Sequence, residues 1–130
     1  MTSGNRVETV DRDGYVEFVV RGFVDPDEVV AAIGRYYSGA PQTHSLWNNS
    51  EATLSTFTPD SFARIAAEAG KYLHKRGKNP RTAILVNTAA ENMLIKAFSA
   101  RAETVAPLDI RVFGDREAAV AWLQSRIPAD

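Results

Sequence analysis

The chain has 130 residues, 45% hydrophobic and 24% charged, with a formal net charge of −1 and no cysteine. Such a length carries one domain with its own core and is short for two, so a single domain over residues 1–130 is expected, with residues 1–5 flexible. The composition excludes a disordered or collagen-like chain, the missing thiols exclude disulfides and thiolate metal sites, and the near-neutral charge excludes a global field for nucleic acid.

No apolar run approaches the roughly 20 residues of a membrane-spanning helix, and the polar start has no apolar segment of a secretory signal. The chain therefore reads as cytoplasmic, with no transmembrane segment and no nucleic-acid partner. From Arg6 to Arg21 it reads as a β-hairpin, with Val7, Thr9 and Val10 on one arm and Tyr15, Val16, Phe18, Val19 and Val20 on the other. The turn is Asp11-Arg12-Asp13-Gly14, where Asp bonds nearby backbone and Gly accepts positive φ. Asp-x-Asp-Gly also begins calcium loops, but the further ligands and the distal glutamate of such a loop are absent.

A first helix opens at Asp25 as N-cap, with Pro26 at its first position and Asp27 and Glu28 at its positive end. Val29, Val30, Ile33, Tyr36 and Tyr37 recur at helical spacing until Gly39 and Pro41. Ser45 to Asn48, around Leu46 and Trp47, is a short strand leading into the polar stretch Asn49 to Thr56. Thr58 caps a second helix with Pro59 first and Phe62, Ile65, Ala66, Ala69 and Leu73 on one face. It is expected to run to the cations Lys71, His74, Lys75 and Arg76, with Gly77 at the left-handed position beyond.

Thr82 to Val86 has the unbroken apolar pattern of an inner parallel strand. Asn87-Thr88 starts a third helix with Met93, Leu94, Ala97 and Phe98 turned inward. Leu108 to Phe113 alternates as an edge strand, and Asp115 caps a fourth helix carrying Ala119, Trp122 and Leu123. The expected architecture is α/β, a mixed sheet of about five strands, with an antiparallel hairpin first and parallel strands after it, covered by four helices on both faces.

Three segments carry a family likeness. They are Val16-Glu17-Phe18-Val19-Val20-Arg21-Gly22 with Asp25-Pro26-Asp27-Glu28, then Thr82-Ala83-Ile84-Leu85-Val86, then Ile110-Arg111-Val112-Phe113-Gly114-Asp115-Arg116-Glu117-Ala118-Ala119-Val120-Ala121-Trp122-Leu123. Together they resemble the SpoIIAA-like family, related to the STAS domain of sulfate transporters and anti-sigma factor antagonists. The resemblance implies a STAS-like fold. In the antagonists, the second helix opens on an Asp-Ser-Ser-Gly-like or Asp-Ser-Thr-Gly-like segment whose second hydroxyl residue is phosphorylated. Here Asp60-Ser61 keeps the first pair, Phe62 stands in place of the second hydroxyl, and no glycine follows. The phosphosite is not inherited intact, and Ser61 is an off-register substitute.

In such sheets ligands bind beyond the carboxyl ends of the strands, where helix N-termini point. Asp25, Asn48, Thr58, Ser61, Asn87 and Thr88 are the ligand-binding candidates there, and ordinary helix capping explains the same residue types. His44 and His74 lack the spacing of a helical metal site, and no nucleophile elbow, dinucleotide loop or phosphate loop occurs. No cofactor or metal is therefore expected. Lys71, Lys75, Arg76, Lys78 and Arg81 form a charge run best read as a solvated helix end, and Tyr36, Tyr37 and Trp122 as packing residues.

The favoured expectation is a non-enzymatic STAS-like domain for protein interaction, as a homodimer or with another protein, or for binding a small anion, nucleotide or lipid. The alternatives are a partner switch phosphorylated on Ser61 or Thr58, and a small enzyme using His44 with Asp25 or Asp60.

Overall fold

The computed structural model describes residues 6–54, 57–77, 79–88, 93, 95, 96 and 109–125. Strands β1 (Val7–Asp11) and β2 (Tyr15–Phe23) form the expected hairpin, and Gly14 at φ +85° supplies its left-handed turn residue. Helix α1 (Pro26–Tyr37) follows, then β3 (His44–Thr53), α2 (Pro59–Gly70), a short 3-10 turn (Leu73–Lys75), β4 (Arg81–Leu85), β5 (Asp109–Phe113) and α3 (Arg116–Gln124). The sheet order is β1-β2-β3-β4-β5, antiparallel only between β1 and β2.

Each parallel strand is laid beside the one before it, always in the same direction. Right-handed crossovers then place every connecting helix on one face. Accordingly α1 and α2 cover the face bearing Val16, Phe18 and Val20 of β2 and Ile84 of β4, where the larger core lies. The opposite face carries Tyr15, Leu46, Ala83 and Leu85 and is covered by α3 through Ala119 and Leu123. Both faces are covered, as expected, by unequal numbers of helices.

Four expectations need correction. β3 runs to Thr53, because the nine-residue β2 offers a longer template: Arg21, Gly22 and Phe23 pair with Glu51, Ala52 and Thr53 beyond the end of β4. α2 stops at Gly70, a poor helix former, and the chain reaches Gly77 (φ +85°) through the separate 3-10 turn. Met93 is helical but 74% exposed, and Ile95 is the buried neighbour. Three α-helices are described over their length; most of the third predicted helix, including Leu94, Ala97 and Phe98, lies outside the described residues, as does Leu108.

Among the described residues, no helix is long and apolar enough to cross a membrane.

Candidate functional site

The six residues singled out at the strand ends separate into two kinds. Asp25 caps α1: its carboxylate accepts from the Asp27 N–H at 2.8 Å, while its own N–H donates to Glu28 Oε1 at 2.9 Å. Thr58 and Ser61 cap α2 reciprocally. The Ser61 N–H donates to Thr58 Oγ1 at 3.2 Å, the Thr58 N–H donates to Ser61 Oγ at 3.1 Å, and the two hydroxyls are 3.0 Å apart. Ser61 is buried, so a phosphate there would have to break this box. Thr58→Ala is expected to cost about 1 kcal/mol, the usual loss for a hydroxyl cap. Urea unfolding checks it, and an unchanged midpoint would show the box to be dispensable.

Asn87 and Thr88 lie just beyond the carboxyl end of β4, whereas Asn48, expected at a strand end, sits midway along the longer β3, beside Leu85 at the end of β4. Asn48 Oδ1 accepts from the Ser50 N–H at 3.1 Å and from Ser50 Oγ at 2.6 Å, and Asn87 Nδ2 donates to the Ser50 carbonyl at 2.5 Å. Thr88 is exposed just beyond β4.

Asn48 also leads to a charged cluster that sequence reading missed. Its Nδ2 donates to Glu17 Oε2 at 2.9 Å. Glu17, 1% exposed on β2, is gripped by Arg116 at the start of α3, with Nη2 at 2.5 Å from Oε1 and Nε at 3.2 Å from Oε2. Arg12 from the hairpin turn donates to Oε1 at 3.0 Å. Burial pushes the Glu17 carboxyl up, but hydrogen bonds from Arg116, Asn48 and Arg12 outweigh it and hold the group below the usual carboxylate range. An ionised carboxylate so fully bonded is a structural tie and a poor general base.

A cavity of about 90 Å³ lies on the other face, between the sheet and α1 and α2. None of the six candidates lines it. Its wall is mostly aliphatic and aromatic, with Val20, Ile33, Phe62, Ile84 and Ile95 among the lining residues. Alternation along β3 sets Ser45, Trp47 and Asn49 on this face, and Ser45 and Asn49 stand roughly 13 Å apart at strand rise. Asn49 is 7% exposed, and among the described residues its side-chain amide makes no hydrogen bond.

At the Ser45 end two cations of the supposedly solvated run are buried instead. Arg76 is 4% exposed and Arg81 7%. Arg81 closes the carboxyl end of α3, donating to the Trp122 carbonyl at 2.5 Å and to Ser125 Oγ at 2.7 Å, with its guanidinium over the Trp122 ring. Helix polarity accounts for that placement. Arg76 turns toward the cavity, donating to the Thr43 and Arg81 carbonyls at 3.0 and 3.1 Å and to the hydroxyls of Thr82 and Ser45 at 3.3 and 3.4 Å. Its guanidinium sits 5.5 Å over the Tyr37 ring. Burial raises the Tyr37 hydroxyl above its ordinary value, against the pull of Arg76, so it stays a phenol.

His44 Nδ1 accepts the Arg81 N–H at 3.1 Å, and no described carboxylate bonds it. Burial pushes its pKa below 6.5, with Arg81 and Arg76 adding to the effect. The folded state thus favours the neutral ring. Its contribution to stability is fully present above pH 6.5 and is lost as pH falls from there through the lower folded value. Unfolding midpoints measured between about pH 7 and pH 5 should fall more steeply for the native chain than for His44→Asn, which retains an acceptor but does not titrate. Equal slopes would refute this role.

No family model matches the chain, and no curated protein matches it. Two solved structures are similar to it. One, titled an anti-sigma factor antagonist from Mycobacterium paratuberculosis, has a TM-score of 0.62 at 17% identity, covering 96% of this chain and 100% of that one. The other, an uncharacterized protein of the DUF3478 family with a SpoIIAA-like fold from Shewanella loihica PV-4, has a TM-score of 0.56 at 18% identity, covering 95% and 98%. At these identities the likeness fixes the fold.

Proposed function

We propose that this domain of SpoIIAA-like fold is a non-enzymatic binding module that takes a small, mainly apolar ligand between its sheet and helices α1 and α2. The observation that carries the reading is Asn49: a buried amide on the cavity wall that makes no hydrogen bond among the described residues. An unsatisfied buried amide costs a fold about 1–3 kcal/mol, and a ligand that bonds it recovers that cost. Cavities of roughly 150 Å³ in other proteins admit benzene, so a space of about 90 Å³ limits the ligand to a body smaller than benzene. The occupied Nδ1 and cationic surroundings of His44 argue against a histidine–carboxylate reaction.

Asn49→Leu is the test. It is expected to stabilise the ligand-free domain by about 1 kcal/mol, because the orphan amide disappears. It should also weaken ligands that carry a hydrogen-bonding group. Thermal unfolding with a panel of small alcohols, amides and acids measures both effects. If no compound raises the midpoint and Asn49→Leu is destabilising, the reading fails.

The likeness to an anti-sigma factor antagonist supports protein binding as a second use of the same domain. Phe23 at the end of β2, 68% exposed, is a large apolar side chain on the surface and suits such a contact.

A further inference from the structure

Resting on the cavity reading, we infer that the Arg76 end of the cavity binds the carboxylate of a small acid whose apolar body lies along Trp47. A guanidinium carries five N–H donors. Among the described residues four of those of Arg76 are bonded, to the Thr43 and Arg81 carbonyls and the Ser45 and Thr82 hydroxyls, which leaves one on Nη1. The Ser45 and Thr82 hydroxyls, 3.3 Å apart, share one proton and leave the other to donate. The Tyr37 phenol lies beside Ser45 and adds a third O–H. All four residues line the cavity and all are more than nine-tenths buried.

Among the described residues, this end of the cavity therefore holds one positive charge, spare donors and no carboxylate. Every bonded partner of the Arg76 guanidinium among the described residues is neutral. A buried charge normally has an opposite partner. Arg81 has the negative end of α3 in that role, whereas Arg76 does not cap that helix. A monoanion matches the single charge. A phosphate dianion would exceed it and would bring oxygens into an apolar wall that offers them nothing.

The experiment is calorimetric titration of the whole chain with propanoate, 1-propanol and inorganic phosphate, repeated on Arg76→Gln and Thr82→Val. Propanoate is expected to bind at least about tenfold more tightly than 1-propanol, the usual gain from hydrogen bonds to a charged group. Arg76→Gln should remove that preference and leave 1-propanol unchanged. Thr82→Val, which keeps side-chain shape, should weaken propanoate alone and serves should Arg76→Gln not fold. Equal binding of propanoate and 1-propanol overturns the carboxylate inference and leaves the cavity reading standing. Phosphate binding as tightly as propanoate also overturns it. If neither organic probe binds, both readings fall.

Discussion

Phe18→Ala is expected to remove about 3–5 kcal/mol of stability, the range for deleting a buried aromatic ring. Phe18 is 0% exposed in the middle of β2. Its ring stacks on Trp47 of β3, with centroids 4.1 Å apart and planes 9° from parallel, and meets the Tyr36 ring nearly edge-on at 5.5 Å. Phe18 and Trp47 are direct partners across the parallel pair, so the stack joins two central strands while α1 closes over it. Truncation would lose the apolar area and leave a void that its neighbours fill only partly. Marginal folds have about 5–15 kcal/mol in hand, so chemical denaturation should find the variant near its limit. A loss under about 1 kcal/mol would mean that the surrounding rings collapse into the space.

Arg116→Ala is the second large effect, about 2–3 kcal/mol at neutral pH. The asymmetry of the pair decides this. The Glu17 side chain is 2% exposed and that of Arg116 is 43%, so removing the arginine leaves the buried member short of its bidentate partner. Arg12 and Asn48 remain and limit the loss. In the intact protein the Glu17 pKa is lowered, so its contribution is present above pH 4.5 and is lost as pH falls through the folded value. Without Arg116 two of the causes that lower the carboxyl pKa are lost and it rises from its native position, so the penalty shrinks as the group protonates. The deficit between native chain and variant should be largest near pH 7 and smaller near pH 4. Equal deficits at both would show that Arg116 acts through packing alone.

The chain order of elements was legible because local chemistry writes it. Asp25-Pro26, Thr58-Pro59 and Asp115 start helices where their caps are observed, and the apolar run expected from Thr82 to Val86 marks the buried inner strand, whose bounds are Arg81–Leu85. The length of β3 was hidden because Asn49, Ser50 and Glu51 resemble a loop, and only the pairing with β2 that resumes at Glu51, past an irregularity in register, carries the strand to Thr53. The site was less legible. Caps were visible, but caps are what those residues are, and the cavity lies elsewhere. Arg76 was masked by the lysines around it: its inward turn depends on α2 stopping at Gly70, a tertiary outcome. Two signals were available. Glu17 is a lone charge between Val16 and Phe18, and Ser45, Trp47 and Asn49 share one face by alternation.

Arg116 and Glu17 are 99 residues apart in the chain, yet they share a bond. A protein is made from its amino end, and strands β1 to β5 can be laid down one beside the next as they emerge. α3 is the last described element to be synthesised. Until it arrives, the Glu17 carboxylate and the apolar row of Tyr15, Leu46 and Leu85 stand on an uncovered sheet face. The ion pair thus forms only after the start of α3 has been made. A nascent chain halted before Arg116 would expose a sticky surface with a charge at its centre, and the docking of α3 removes both together.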